Sequence, residues 1–161
     1  MNLGEALTAA RQRIDRLDAR LLLQYATGCS HTDLLARPET PVSAAAYAQF
    51  AEWVDRRAAG EPLAYLVGET EFRGRVFQVS PAVLIPRPET EVLVDLALER
   101  LSGLANPKIL DLGTGSGIVA ISLALECPAA RVVAVDLSPP AILVARNNAR
   151  RLGATIDFRV G

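Results

Sequence analysis

Cysteine is scarce in this chain: Cys29 and Cys127 stand far apart and belong to no Cys-x-x-Cys pair, which excludes a disulfide framework and leaves no thiolate metal site. Both sit in helix-like surroundings and read as reduced structural thiols. The only histidine, His31, reads as an ordinary loop residue. An excess of one charge is missing too. With 17 basic against 18 acidic residues, the formal net charge is −1, so the chain lacks the electrostatic footprint that grips a phosphate backbone, and nucleic acid is not the expected partner. No apolar run approaches the ~18 residues that cross a membrane. The start, Met1-Asn-Leu-Gly-Glu-Ala, lacks the basic-then-apolar order of a secretory leader. Together these absences point to a cytoplasmic protein without metal. What is plentiful is apolar side chain: half of the 161 residues are hydrophobic, enough for a real core in one domain or one and a half.

The pattern divides the chain into three zones: residues 1–60, 61–87 and 88–161. In the first, Leu3, Leu7, Ala10, Ile14, Leu17 and Leu21 recur every three or four residues, as do Tyr47, Phe50, Trp53 and Val54. That spacing predicts a small helical domain whose aromatic stripe is core rather than a base-stacking platform. Gly28 reads as a helix end, Ser43 as a helix start, and Gly60 with Pro62 as the close of the zone. In the second, Thr70 to Val79 has β-branched and aromatic residues on both sides of Arg73-Gly74, predicting a hairpin that links the two domains. The third opens with Ile85-Pro-Arg-Pro-Glu-Thr-Glu91, where Pro88 suits the first helical position and Glu89 and Glu91 suit the first turn. Leu93, Leu96, Ala97, Leu101 and Leu104 then mark the expected buried side of a helix.

The most informative stretch follows. Lys108-Ile-Leu-Asp-Leu-Gly-Thr-Gly-Ser-Gly117 is an apolar run leading into three alternating glycines and a new helical pattern, the strand–loop–helix on which α/β folds seat nucleoside cofactors. Side chains at Gly113, Gly115 or Gly117 would block the positive φ angles of such a turn or hold a ligand off the main chain. About 20 residues on, Arg131-Val-Val-Ala-Val-Asp136 ends in an acid suited to accept the two hydroxyls of a ribose. A dinucleotide fingerprint needs a small sixth residue, and here Ile118 stands there. The spacing Asp-Leu-Gly-Thr-Gly-Ser-Gly instead resembles the first motif of S-adenosylmethionine-dependent methyltransferases. A glycine-rich turn with no ligand and an NAD site are the alternatives. Strands alternating with helices from residue 108 onward, with a helix started by Ser138-Pro139 and a last strand from Ile156 to Val160, predict a parallel sheet with the glycine loop at the carboxyl end of its first strand.

Five segments carry a wider resemblance: Leu34-Leu-Ala-Arg37, Arg57 to Phe72 with its Glu61-Pro-Leu-Ala-Tyr65, Val83-Leu-Ile-Pro-Arg-Pro-Glu-Thr-Glu91, Ile109 to Gly117, and Val133-Ala-Val-Asp136. In this order they closely resemble the HemK/PrmC family, methyltransferases that modify the glutamine of the Gly-Gly-Gln motif in peptide chain release factors. The resemblance implies an N-terminal helical domain, a β-hairpin linker and the first half of a class I, Rossmann-like, S-adenosyl-L-methionine-dependent methyltransferase domain, in a monomer. It places Gly113, Thr114, Gly115, Ser116 and Gly117 against the cofactor, Asp136 on its ribose, and Asp111 as the residue that orients the loop or receives the cofactor's ammonium. Arg87, Glu89 and Thr90 become candidates for the substrate channel, with a stiff domain connector as the alternative. Asn147 and Asn148 read as helix-surface residues near the sheet. The family's Asn-Pro-Pro-Tyr, which holds the substrate amide, is not among the 161 residues. The chain is therefore expected to correspond to an N-terminal portion without catalytic residues, inactive alone and weak at best in cofactor binding. A ribosomal-protein glutamine methyltransferase and a non-catalytic release-factor-binding module are the other readings.

Overall fold

The computed structural model describes all 161 residues, which form two compact units, Met1–Val67 and Gly68–Gly161. The first is all helical: α1 (Leu3–Ala10), α2 (Arg16–Thr27), α3 (His31–Ala36), α4 (Ala44–Ala58) and α5 (Leu63–Val67). Its helix starts are written in short polar side chains, because the first N–H groups of a helix have no partner inside it. Asn2 and Glu5 form a reciprocal capping box on α1, as do Ser30 and Asp33 on α3. Ser43 accepts the Ala46 N–H at the start of α4, and Gly28 ends α2 in the left-handed conformation. Leu3, Leu22, Leu23 and Phe50 centre the core, and Tyr47 and Trp53 pack against it. Each such buried side chain contributes about 1.5–3 kcal/mol.

Two expectations for this unit change. The apolar repeat from Leu3 to Leu21 is two helices, not one face: the chain turns after Ala10, Asp15 caps a new helix by accepting the Leu17 N–H, and the phase resets. Leu17 is then exposed, while Ala19, Leu22 and Leu23 are buried. The segment after Pro62 is a short helix rather than the beginning of strand structure. Pro62 lacks an N–H and so loses nothing at a helix start. Leu66 is buried in the helical core, so this unit extends through Val67.

The second unit begins with an antiparallel hairpin, β1 (Glu69–Phe72) and β2 (Arg75–Gln78). Arg73 and Gly74 form its two-residue turn with φ of 51° and 69°, both positive, as the turn that matches strand twist requires. Phe72 and Phe77 meet edge to face at 6.2 Å and are buried in this unit's core. Next come α6 (Glu89–Leu101), β3 (Lys108–Leu112), α7 (Ile118–Glu126), β4 (Arg131–Asp136), α8 (Pro139–Leu152) and β5 (Asp157–Val160). The three later strands are parallel in the order β3-β4-β5, with Leu112 opposite Val135. The result is an α/β unit with a Rossmann-like parallel sheet. Ser138 caps α8 by accepting the Ala141 N–H, Pro139 occupies its first position, and Gly153 ends it.

Helix α6 is turned from its expected phase. Val94 is fully buried, with Ala97, Leu98 and Leu101 packed beside it, whereas Leu93, Leu96 and Leu104 are more than half exposed. The helix carries two apolar stripes, and contacts outside it choose between them: Arg73 at the hairpin turn bonds Asp95 through its guanidinium and Glu91 through its main-chain N–H.

Candidate functional site

The sheet delivers the ends of β3 and β4 side by side, and the glycine loop closes over them. Gly113 and Thr114 both donate their N–H to the Val135 carbonyl, at 2.8 and 3.0 Å, and Gly117 donates to Thr114 at 2.8 Å. The side chains of Thr114 and Ser116 turn inward and are buried. The Thr114 hydroxyl donates to Asp111 Oδ2 at 2.8 Å, so Asp111 holds the loop from the end of its own strand. What the loop presents outward is the main chain of Gly113 and Gly115.

Its three glycines do different work. All have positive φ, 74°, 55° and 79°. A β-carbon at Gly113 or Gly115 would meet nothing within 4 Å, so the space in front of them is open. At Gly117 it would lie 2.9 Å from Ile121 Cδ1 and 3.1 Å from Ala145 Cβ, so that glycine serves the close approach of α7 and α8. Gly117 also begins α7 without any side-chain cap. The donors and positive dipole end of that helix therefore face the loop's concavity unneutralised by a side chain.

Asp136 completes the cradle. Its Oδ2 accepts the Gly115 N–H at 2.9 Å and its Oδ1 accepts the Ser138 N–H at 2.9 Å. Each carboxylate oxygen keeps a second lone pair, so a pair of neighbouring hydroxyls still has acceptors. Leu137, next along the chain, is 83% exposed and adds apolar surface at the rim.

Arg87, Glu89 and Thr90 enter α6 from the proline-rich turn, where Thr90 donates its N–H to the Arg87 carbonyl at 3.0 Å. Arg87 and Glu89 are exposed and Thr90 is half-buried. The loop's own bonds run to Asp111, Asp136, Val135 and Asn148, and none of these three side chains joins them. Asn148 corrects the expectation of a surface residue. It is fully buried, with Nδ2 donating to the Ser116 carbonyl and to the Gln78 carbonyl, each at 2.9 Å, and Oδ1 accepting the Gln78 N–H at 2.7 Å. The signal was available in its spacing, since Asn148 falls on the stripe of Ala141, Ile142, Ala145 and Ala149 that α8 buries. A depression of about 670 Å³ lies elsewhere, between the end of α7 and the starts of β4 and β5. Its walls, such as Leu125, Val132 and Ala154, are mainly apolar.

Residues 3–68 match the model of the PrmC N-terminal domain, and residues 109–161 match a methyltransferase domain model. The release factor glutamine methyltransferase of Burkholderia pseudomallei is 54% identical over 139 residues, 86% of this chain and 49% of that protein. The one from Bordetella pertussis is 51% identical over 148 residues, 92% of this chain and 55% of its own length. The chain thus spans about half the length of the curated relatives it matches. Among solved structures, Pyrococcus abyssi tRNA (uracil-54, C5)-methyltransferase in complex with S-adenosyl-L-homocysteine aligns with 58% of this chain and 23% of its own at 24% identity, TM-score 0.49. No helix is long and apolar enough to cross a membrane.

Proposed function

We propose, for a chain that belongs to the HemK/PrmC methyltransferase family, that its second unit binds S-adenosyl-L-methionine and serves methyl transfer to the glutamine side-chain amide in the Gly-Gly-Gln motif of release factors. The observation that carries this reading is the cradle itself: open space before Gly113 and Gly115, with the Asp136 carboxylate bonded to the Gly115 N–H at its edge. The donor set fits a ribosyl sulfonium compound. Asp136 retains acceptor lone pairs for vicinal hydroxyls, the bare main chain of Gly113 and Gly115 allows close approach, Leu137 offers apolar contact to a base, and Asp111 supplies a negative charge that suits an ammonium group.

When bound, the cofactor supplies a methyl group made electrophilic by its sulfonium. The chain's own residues bind and orient. Thr114 and Asp111 fix the loop's shape, and Gly115 and Asp136 would hold the sugar in place. An amide nitrogen is a weak nucleophile, because its lone pair is shared with the carbonyl. Transfer therefore needs the amide held in line with acceptors on its N–H groups. No residue among the 161 is assigned that task, so this chain alone is read as a cofactor-binding and substrate-docking portion that does not transfer methyl groups. The helical unit, Met1–Val67, is read as the part that recognises the release factor, and Arg87, Glu89 and Thr90 as the border of the substrate channel.

Titration of S-adenosyl-L-homocysteine into the 161-residue chain, followed by amide NMR, registers even weak binding. Shifts are expected at Gly113 to Gly117 and at Asp136 to Ser138, and Asp136→Ala is expected to abolish them. An unmoved spectrum at saturating ligand overturns the cofactor reading. Labelled methyl appearing on a release factor with the 161-residue chain alone overturns the assignment of no catalytic residue.

A further inference from the structure

We propose that Asn148 is a positioning residue for the cofactor loop, joining that loop to the hairpin so that the two are set as one piece; the cofactor part of this rests on the reading above. Asn148 has no exposed surface, and three of the four hydrogen bonds its amide can make are spent on main-chain groups: the N–H and carbonyl of Gln78 and the carbonyl of Ser116. Gln78 stands opposite Glu69 in the hairpin, yet both of its main-chain groups are taken by this one side chain. The amide of Asn148 occupies the place where a third strand's peptide would pair with β2.

The Ser116 bond matters more for the site. Turning the Ser116 carbonyl inward fixes the Ser116–Gly117 peptide plane, whose N–H is in turn bonded to the Thr114 carbonyl. The loop is thereby gripped from two sides, by Asp136 at Gly115 and by Asn148 at Ser116. With the carbonyl turned towards Asn148, that acceptor does not face the open space before Gly113 and Gly115. From Gln78 the chain runs on through Val79 and Val83, both buried, towards Arg87. Asn148 therefore ties the start of the segment carrying Arg87, Glu89 and Thr90 to the loop. An apolar side chain in its place would leave three main-chain groups without this partner, the buried Ser116 carbonyl among them.

Amide hydrogen exchange on the 161-residue chain tests this without any ligand. Asn148→Ala is expected to speed exchange at the Gln78 and Gly117 N–H groups together, by about tenfold or more relative to the β4 amides. Phe158→Leu, in the same core but away from the loop, is expected to change them only in step with β4. In the second arm, the affinity for S-adenosyl-L-homocysteine falls about tenfold or more in Asn148→Ala and stays near that of the unmodified chain in Phe158→Leu. If Asn148→Ala behaves like Phe158→Leu at Gly117, the proposal is overturned. Should the variant fail to fold, the unmodified chain decides: slow exchange of the Asn148 side-chain amide protons supports the proposal and fast exchange overturns it. Absence of S-adenosyl-L-homocysteine binding by the unmodified chain sinks the cofactor reading alone, while the ligand-free exchange comparison still decides the role of Asn148.

Discussion

At Gly117 two requirements coincide that are separate at its neighbours. The backbone is left-handed there, which a side chain resists by about 1–2 kcal/mol, and the helices beside it leave no room for a methyl. The 2.9 Å and 3.1 Å approaches to Ile121 and Ala145 add a packing cost of about 1–3 kcal/mol. Gly117→Ala is therefore expected to lower stability by about 2–5 kcal/mol in urea denaturation, and Gly113→Ala, whose methyl enters open space, by only about 1–2 kcal/mol. Equal losses at the two positions would contradict the division between a packing glycine and a ligand-facing one. The sequence announces that all three glycines need unusual backbone angles, because their alternation before a helix has few other uses. It does not say which is pressed against a neighbour, since Ala145 arrives from a helix that starts beyond the next strand. Asn148 was legible only in part: its spacing sets it on the stripe that α8 buries, but the main chain of Gln78 that it bonds comes from a hairpin 70 residues away.

Among the elements, the hairpin is fixed by charge as well as by its phenylalanines. Arg73 donates through Nε and Nη2 to both oxygens of Glu126 at the end of α7, at 3.0 and 2.8 Å, and through Nη1 to Asp95 on α6 at 2.6 Å, while Arg75 reaches Glu126 at 2.9 Å. The bonds from Arg73 hold the Glu126 carboxyl below its ordinary value of 4.5; partial burial opposes this and Arg75 reinforces it. A carboxylate depressed in the folded state contributes stability that is present above the ordinary value and is lost as the pH falls through the folded value. The second unit is expected to lose stability below about pH 4.5. Glu126→Gln is expected to cost about 1–2 kcal/mol near neutrality and to flatten that acid limb, as followed by urea denaturation across pH. An unchanged pH profile would remove Glu126 from the account. Elements with local punctuation, such as α4 after Ser43, α8 after Ser138-Pro139 and the Arg73-Gly74 turn, could be read directly because a cap or turn residue acts within three positions. The phase of α6 could not, because Val92, Leu93 and Leu96 form as good a stripe as Val94, Ala97, Leu98 and Leu101, and only Arg73 and the sheet decide between them.

For the molecule as a whole, the parallel sheet is the place of least closure. Strand β3 has β4 on one side and no strand on the other, and Leu110 and Leu112 on it are 61% and 71% exposed. Their register partners Val133 and Val135 are only partly buried, so one face of the sheet carries four apolar side chains in two adjacent rows. A parallel sheet normally has both faces covered, and a strand with an open row of N–H and C=O groups beside apolar side chains is a template for pairing with another chain. The expected outcome is concentration-dependent self-association of the 161-residue chain in sedimentation velocity. Replacing Leu110 by lysine should suppress it by placing a charge on the open strand, whereas Leu17→Lys, also exposed but in the helical unit, should not. Glu126→Gln provides a further comparison, since it loosens the hairpin without altering β3. If Leu110→Lys and Leu17→Lys suppress association equally, the effect is one of net charge, and the open strand is not its cause.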